Sequence, residues 1–213
     1  MPRQSTNTEA FRRAYEQRRV CVTGGAGFIG SHLVEALVDH GAVVTVLDDL
    51  STGRAENLDA CRARPRLVHG SILDADALAE AFQGAAIVFH LAAATSVPGS
   101  VTDPALYHDV NCTGTLRVLE AVRAAGGGRV IYAGSSSAYG ELPQSPKVET
   151  MRTDAWSPYA ATKQYGESLL AAYTRCFEIT GASLRYFNIF GPRQRPDSPY
   201  AAMIPRFAET MLA

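Results

Sequence analysis

The sequence contains no continuous apolar stretch near the ~18 residues that a membrane span needs, so we expect no membrane-embedded segment. Its opening residues, Met-Pro-Arg-Gln-Ser-Thr-Asn, lack the apolar core of a secretory signal, and we therefore expect a cytoplasmic protein. An excess of charge of one sign is also missing, because 20 lysine and arginine residues stand against 21 aspartate and glutamate residues. Without the basic surplus typical of nucleic-acid-binding proteins, no nucleic-acid partner is expected.

Cysteine is scarce and scattered. The four cysteines are Cys21, Cys61, Cys112 and Cys176. Their spacing lacks the close pairs of a zinc site, and the five histidines show no ligand spacing either, so we expect reduced thiols and no metal. With 213 residues, 46% of them hydrophobic and 19% charged, the chain has the composition of a globular protein that folds without cross-links. The length allows one domain, or one domain and part of a second.

Short β-branched runs alternate with longer helical patterns along the chain. The predicted strands cover residues 19–23, 42–47, 66–68, 86–90, 129–133 and 182–187. The predicted helices cover residues 28–39, 74–82, 103–125 and 157–178, and a small surface helix is expected before the first strand. Repeated β–α units imply right-handed crossovers, so the fold class is α/β with a doubly wound parallel sheet of the Rossmann type.

A glycine-rich turn joins the first strand to the first helix. Gly24, Gly27 and Gly30 are spaced G-x-x-G-x-x-G, a pattern that permits a tight turn and close approach of the backbone to a pyrophosphate. Asp48 ends the second strand 18 residues after Gly30, near the position of a ribose-binding acid. A carboxylate there would repel a 2′-phosphate, so NAD is favoured, although Arg54 could favour NADP. The alternatives are a turn that serves packing alone and a solvated acidic pair.

A phenol and an ammonium group stand one helical turn apart at Tyr159 and Lys163, on one helix face. A nearby cation lowers the pKa of a phenol, so we expect Tyr159 to take a proton from a hydroxyl near neutral pH. The pair opens the helix after the fifth strand, at the sheet edge where ligands bind in open α/β folds. Ser135, Ser136 and Ser137 leave that strand and offer hydroxyls to polarise a carbonyl. The alternative is a polar loop followed by a surface pair.

Together these elements resemble the extended short-chain dehydrogenase/reductases, in the branch of NAD-dependent epimerases and dehydratases. The motifs that carry the resemblance are TGGAGFIGSHL (23–33), LDDLSTG (47–53), FHLAA (89–93), NCTGT (111–115), SSSAYG (135–140), SPYAATK (157–163) and LRYFNIFGP (184–192). They occur in the family's order from about residue 19 to the end of the chain. LDDLSTGRAENL and YAAMIPRF (200–207) are most similar to UDP-glucose and UDP-N-acetylglucosamine 4-epimerases.

The resemblance implies NAD-dependent epimerisation at C4 of a nucleotide-linked, UDP-type hexose or N-acetylhexosamine through a transient 4-keto sugar. Tyr159 would be the base on the 4-hydroxyl, Lys163 would hold the nicotinamide ribose, and Ser135 would be the helper. The serine run leaves the helper's identity open. Cofactor contacts are implied for Gly24, Gly27, Phe28, Ile29, Gly30, Asp48, Asp49, Ser51, Thr52, Gly53, Ser71, Ile72, Leu91, Ala92, Ala93, Asn111, Tyr159, Lys163 and Tyr186. Substrate contacts are implied for Ser136, Ser137 and Asn188.

Two departures from the family pattern bear on this expectation. Dehydratases and decarboxylases of the branch usually carry a carboxylate after the helper residue, whereas this sequence has Ser136 and Ser137 there. We therefore expect epimerisation without elimination of water. Ser71 stands where many relatives carry an aspartate that contacts adenine, which leaves one cofactor contact weaker or altered.

The resemblance also implies a domain division and a homodimer. We expect a helical extension over 1–18, an NAD-binding domain over 19–190 and the incomplete start of a small substrate domain over 191–213, ending in a helix begun near Pro205. An NAD-binding chain without turnover is therefore an alternative, as is another sugar-nucleotide oxidoreductase or dehydratase. The homodimer would form through the helices at 103–125 and 157–178. Its candidate contacts, about half of which should pack on the sheet instead, are Val110, Leu116, Leu119, Val122, Leu169, Leu170 and Tyr173.

Overall fold

A computed structural model describes residues 3–194 together with residues 207, 210 and 211. The strands are β1 (Arg19–Thr23), β2 (Val43–Asp48), β3 (Arg66–His69), β4 (Ile87–His90), β5 (Gly128–Ser135) and β6 (Ile179–Tyr186). The helices are α1 (Arg3–Tyr15), α2 (Phe28–Asp39), α3 (Ala75–Ala81), α4 (Val97–Thr102), α5 (Pro104–His108), α6 (Gly114–Ala124) and α7 (Pro158–Cys176). The start of the helix expected near Pro205 and most of the 200–207 motif lie outside the described residues.

The six strands form one sheet in the order β3-β2-β1-β4-β5-β6, and every neighbouring pair is parallel. Strand order reverses between β1 and β4, because the chain builds outward to β3 and then returns to the other side of β1. In such sheets ligands bind outside the carboxyl ends of the strands at this switch point. The predicted α/β fold with a doubly wound parallel sheet is confirmed.

Hydrophobic side chains fill both sides of the sheet because successive strand residues point to opposite faces. In β1, Cys21 lies in the cluster covered by α3, α6 and α7. Its neighbours Val20 and Val22 lie in the cluster covered by α1 and α2. This two-sided burial explains why the central strands are apolar almost throughout, and it fixes the direction in which each strand end presents its side chains.

The N-terminal helix α1 packs on the second of these clusters through its last turns. The ring of Phe11 lies 4.7 Å from that of His40, and the ring of Tyr15 lies 6.3 Å from that of Phe89, measured between centroids. The sequence predicted a small helix before the first strand, and the structure has one.

Two predicted elements differ from the structure. The single helix expected over 103–125 is α5, a π-helical turn at Asp109–Thr113 and α6, and it is preceded by α4, which was not predicted. The last strand starts three residues earlier than predicted, because Ile179 is buried and pairs with Gly128. Periodicity alone does not reveal a π turn, since the extra residue displaces the apolar stripe only locally.

The helices of the described part of the chain include none that is long and apolar enough to cross a membrane. Over the same residues, no group of three or more histidine, cysteine, aspartate or glutamate side chains is arranged to hold a metal ion.

Candidate active site

The glycine turn runs from β1 into α2, and two of its glycines are required by close backbone contacts. A Cβ atom on Gly24, whose φ is +71°, would lie 2.7 Å from the amide nitrogen of Ala92. A Cβ atom on Gly30 would lie 2.1 Å from the carbonyl oxygen of Gly24. No side chain caps the start of α2 at Gly27, so the amide groups of its first turn, at Phe28 and Ile29, stay available to an anion.

Asp48 at the end of β2 is 7% exposed and anchors the turn. One carboxylate oxygen accepts a hydrogen bond from the amide of Ala26 at 2.9 Å, and the other accepts one from the amide of Leu50, also at 2.9 Å. Burial raises the pKa of Asp48, while these two hydrogen bonds act in the opposite direction. A carboxylate has about four acceptor positions, so two remain for the hydroxyls of a ribose.

The loop after Asp48 is shaped by short polar contacts. Both the amide and the hydroxyl of Ser51 donate to a carboxylate oxygen of Asp49, at 3.0 and 2.6 Å. Gly53 is buried, and a Cβ atom there would lie 2.8 Å from the Asp48 carboxylate. Thr52 is exposed beside it. This loop therefore closes directly over the acidic side chain.

The segment after β3 contributes one polar and one buried residue. The hydroxyl of Ser71 accepts a hydrogen bond from the amide of Leu73 at 3.1 Å. Ile72 is 4% exposed and packs so closely on α6 that a Cβ atom on Gly114 would lie 2.5 Å from its side chain. Ile72 thus belongs to the core at the base of the site.

Leu91, Ala92 and Ala93 leave β4 half-buried next to the glycine turn. Asn111, in the π-helical turn, is 2% exposed and holds this segment from below. Its side chain accepts a hydrogen bond from the amide of Ala94 at 2.8 Å and donates to the carbonyl of the same residue at 3.0 Å. A further bond of 3.0 Å runs to the hydroxyl of Thr162. Asn111 therefore ties the β4 loop to α7.

Ser135, at the carboxyl end of β5, faces the tyrosine that opens α7. Its Oγ accepts hydrogen bonds from the amide of Ser137 at 3.2 Å and from the hydroxyl of Ser137 at 2.8 Å. Its own proton is then left for another acceptor. Burial raises the pKa of Tyr159, and a hydrogen bond with Ser135 lowers it. Of the three candidate serines, Ser135 is the one that interacts with Tyr159.

Lys163 lies in a different environment from the one its spacing suggested. Its Nζ donates to the carbonyl of Ala133 at 3.0 Å and lies 5.1 Å from the ring centroid of Tyr132. Burial lowers the pKa of Lys163 from 10.5 to about 8. The expectation that Lys163 lowers the pKa of Tyr159 is wrong for this structure, because burial of the phenol dominates and raises its pKa.

The remaining candidate side chains lie around the end of β6. Tyr186 is half-buried, and burial raises its pKa. Asn188 is exposed beyond the strand end. Ser136 is half-buried beside Ser135 and Ser137 in the short 3-10 turn Ser136–Tyr139. The structure thus brings the predicted serines and Tyr159 to one sheet edge and leaves Asn188 at its rim.

Several residues around the site were not singled out from the sequence. Tyr107 places its ring edge-on to that of Tyr159, with centroids 6.5 Å apart. Arg193 pairs with Glu35 on α2, and the imidazole of His32 lies 2.9 Å from the carbonyl oxygen of Pro192. These contacts fold the segment after β6 back onto the helix of the glycine turn. No local spacing links positions about 160 residues apart in this way.

The parallel sheet, the glycine turn with its acid, and the Ser135–Tyr159–Lys163 cluster at one edge define an extended short-chain dehydrogenase/reductase. The chain belongs to the NAD-dependent epimerase/dehydratase family, whose sequence model matches residues 20–213.

The proteins similar to this chain include several UDP-sugar 4-epimerases, together with a decarboxylase of Bacillus cytotoxicus and a dehydratase of Streptomyces venezuelae that act on other nucleotide sugars. A UDP-glucose 4-epimerase of Mycolicibacterium smegmatis is 42% identical over 200 residues, which span 92% of this chain and 63% of the relative. The solved UDP-N-acetylglucosamine 4-epimerase of Methanobrevibacter ruminantium is 41% identical, with a TM-score of 0.88 over 92% of this chain and 63% of that one. The Thermus thermophilus UDP-glucose 4-epimerase, solved with NAD, is 40% identical, with a TM-score of 0.79 over 85% and 58%. This chain therefore spans less than two thirds of their lengths.

Proposed function

We propose that the protein binds NAD at the carboxyl edge of its sheet and epimerises C4 of a UDP-linked hexose or N-acetylhexosamine through a transient 4-keto sugar. The observation that carries the proposal is the position of Ser135 at the carboxyl end of β5, where burial raises the pKa of Tyr159 and a hydrogen bond with Ser135 lowers it. The proposal is also supported by the relatives, which include UDP-sugar 4-epimerases and one such enzyme solved with NAD.

The residues fit a dinucleotide. The close contacts at Gly24 and Gly30 leave no room for side chains, and the uncapped start of α2 offers amides to a pyrophosphate. Asp48 keeps free acceptor positions for the adenosine ribose. Lys163 spends one of its three donors on Ala133, so two remain for the nicotinamide ribose.

Each catalytic side chain has one proposed task. When bound, NAD would supply reversible hydride chemistry at C4. The pKa of Tyr159 is raised by burial, and the positive charge of a bound oxidised nicotinamide would favour its phenolate. As a phenolate, Tyr159 takes the proton of the 4-hydroxyl and gives it back when the alcohol re-forms. Ser135 donates its free proton to the phenolate or to the sugar oxygen, which stabilises the charge that develops there.

Simple epimerisation is favoured over elimination by the side chains next to the helper. Eliminating water needs a group that removes a second proton and one that protonates the leaving hydroxyl. Ser136 and Ser137 carry no carboxylate, and the hydroxyl of Ser137 is used on Ser135. The region around Ser135 therefore supports one reversible proton transfer.

A second candidate function is NAD binding without turnover. It concerns this chain, which spans 63% of the Mycolicibacterium enzyme. We keep the division into 1–18, 19–190 and 191–213 as a prediction; under it, the residues that select the sugar would lie largely outside the site described above. The proposed nucleotide and sugars are those of the similar UDP-glucose and UDP-N-acetylglucosamine 4-epimerases.

The test is an incubation of the purified protein with UDP-glucose and, separately, with UDP-N-acetylglucosamine. We expect the corresponding 4-epimer and, by mass spectrometry of the protein, bound NAD. Bound NAD without sugar conversion would support the binding-only alternative, and a 4-keto-6-deoxy product would replace epimerase with dehydratase.

A matched pair of tyrosine variants on α7 separates chemistry from folding. We expect Tyr159→Phe to lose about 10²–10⁴-fold in turnover while keeping NAD, because only the proton acceptor is removed. Tyr173→Phe removes a hydroxyl that bonds Glu120 far from the cluster and should keep full turnover. Equal losses in both variants would argue that Tyr159 acts through folding alone.

We further propose a homodimer formed through α6 and α7. Of the candidate contacts, Leu119, Val122, Leu170 and Tyr173 are buried in the core, Val110 and Leu169 are partly buried, and Leu116 is exposed. Exposed apolar side chains nearby include Leu106 and Tyr165. Light scattering should give the mass of a dimer that Leu116→Glu dissociates, and a monomer mass for the unmodified protein would contradict it.

We also propose a cytoplasmic location. The four cysteines are free, as a reducing compartment would keep them. Cell fractionation tests this directly, and recovery of the protein in an extracellular or membrane fraction would contradict it.

A further inference from the structure

His90, at the end of β4, lies between two threonine hydroxyls. Its Nδ1 is 2.8 Å from Oγ1 of Thr23, and its Nε2 is 3.0 Å from Oγ1 of Thr115. The residue is 1% exposed, so bulk water satisfies neither nitrogen and the two threonines must do so. His90 is therefore a bridge between β1 and α6.

The imidazole is neutral at physiological pH. Burial, together with the ammonium group of Lys163, lowers the pKa of His90 to about 3. The other ring packed against it belongs to Tyr132, at 5.6 Å between centroids, and carries no charge because burial raises the pKa of its phenol. A neutral imidazole has one N–H donor and one bare nitrogen acceptor.

The direction of the neighbouring hydrogen bonds decides which nitrogen carries the proton. Thr115 donates its single hydroxyl proton to the carbonyl of Asn111 at 2.5 Å, so it can only accept from His90. Nε2 is then the protonated nitrogen. The bare Nδ1 must accept the hydroxyl proton of Thr23, whose oxygen in turn accepts the amide of Ala92 at 3.2 Å. All donors run in one direction, from Ala92 to Asn111.

Both ends of this chain of bonds reach the proposed active site. The amide of Ala92 lies so close to Gly24 that a Cβ atom there would be 2.7 Å away. At the other end, the side chain of Asn111 holds Thr162 at 3.0 Å, and Thr162 precedes Lys163 on α7. The bonds made by His90 therefore connect the glycine turn to the segment that holds α7, alongside the direct bonds of the Asn111 side chain to Ala94 and Thr162.

We propose that His90, fixed as the neutral Nε2–H tautomer, is a positioning residue that sets the glycine turn against the helix of Tyr159 and Lys163. Its effect on turnover rests on the proposed function, whereas its tautomer and its effect on the fold of the site do not.

The tautomer is tested by ¹⁵N NMR of the protein labelled at its histidines, with His90→Gln used to assign the resonances. We expect a neutral ring protonated at Nε2 that does not change between pH 6 and 8, whether or not the protein turns over any sugar. A ring protonated at Nδ1, or an imidazolium in that range, would overturn the proposal.

Positioning is tested with His90→Phe, which keeps a flat ring and removes both hydrogen bonds. We expect turnover to fall about 10–100-fold with little change in the KM for the sugar nucleotide, as misplacement of reacting groups predicts. Thr115→Val should cause a loss in the same direction, and adding it to His90→Phe should cost nothing further, because the two share one chain of bonds. Phe82→Leu, a change in the same core away from the site, is the control for lost stability.

Further variants test the proposal if His90→Phe does not fold or if the protein converts no sugar. If His90→Phe does not fold, His90→Gln, whose amide can still donate toward Thr115, should fold and keep more turnover than His90→Asn, which cannot reach it. If the protein binds NAD but converts no sugar, the same variants should weaken NAD binding several-fold. A loss no greater than that of Phe82→Leu, or strict additivity of His90→Phe with Thr115→Val, would overturn the proposal. If the protein binds no NAD, the proposed function is refuted, and the tautomer measurement still tests the proposal about His90.

Discussion

The ammonium nitrogen of Lys163 lies 3.0 Å from the carbonyl oxygen of Ala133, across the gap between α7 and β5. The bond gives a buried charge its partner on the strand that leads to Ser135. The ammonium group of Lys163 is therefore fixed against β5 by this hydrogen bond, independently of any bound ligand.

Burial of Lys163 makes stability depend on pH. Its pKa is about 8 in the folded protein against 10.5 ordinarily, so between those values the unfolded chain binds more protons than the folded one. The contribution of Lys163 to the free energy of unfolding therefore rises with pH across that window. We expect the free energy of unfolding of the unmodified protein to rise, relative to that of Lys163→Met, by about 1.4 kcal/mol for each unit of pH increase in this window. Urea unfolding of both proteins at pH 8 and 10 checks this; a constant difference would contradict it.

Burial of His90 makes the free energy of unfolding depend on pH in the acid range. Its folded pKa of about 3 lies below the ordinary 6.5, so the stabilisation is complete above pH 6.5 and is lost as the pH falls toward 3. We expect the free energy of unfolding to fall by about 1.4 kcal/mol per pH unit from this group alone. The free energy of unfolding of His90→Asn should depend less steeply on pH between 3 and 6.5. The other histidines are present in both proteins, so their contributions cancel in the comparison. Parallel slopes for both proteins would refute the prediction.

The close backbone contacts of the glycine turn predict that alanine is not tolerated at Gly30, whereas it is tolerated at Gly191 outside the turn. Gly30→Ala would place a Cβ atom 2.1 Å from a backbone oxygen, and we expect a loss of about 1–3 kcal/mol in stability together with loss of NAD binding. Gly191→Ala meets only the ring of Phe28 at 3.7 Å and should be tolerated. Thermal unfolding and NAD titration measure both effects. Retention of NAD binding by Gly30→Ala would show that the turn is looser than described.

An ion pair joins β6 to α7 and is expected to stabilise this edge of the sheet. Arg185 binds both carboxylate oxygens of Glu167, at 3.0 and 2.5 Å, and its guanidinium lies 4.7 Å from the ring centroid of Tyr139. Removing one partner leaves a largely buried charge, so Glu167→Gln should cost about 1–3 kcal/mol.

The pair formed by Arg13 and Glu9 provides the control, because both side chains are more than half exposed. Glu9→Gln should change the free energy of unfolding by less than about 0.5 kcal/mol. Equal effects of the two substitutions, measured by chemical denaturation, would mean that burial at Glu167 does not matter.

Local patterns account for what the sequence predicted correctly. Strand periodicity and the glycine spacing are short-range signals, and they were sufficient to predict the parallel sheet and the turn between β1 and α2. The bridge at His90 joins residues 67 and 25 positions apart, and no spacing rule reports such contacts. The partner of Lys163 was missed for a related reason: spacing along a helix shows which side chains share a face but not which carbonyl of a neighbouring strand lies opposite.

The central claim is that one enzyme-held hydride leaves C4 of the sugar and returns to the same carbon. It is tested most directly with a UDP-hexose that carries deuterium at C4, incubated with the protein in ordinary water and followed by mass spectrometry and NMR. The account predicts a 4-epimer that retains its deuterium at C4, and no product with Tyr159→Phe. Loss of the deuterium to solvent, or its appearance at another carbon of a deoxygenated product, would contradict the account.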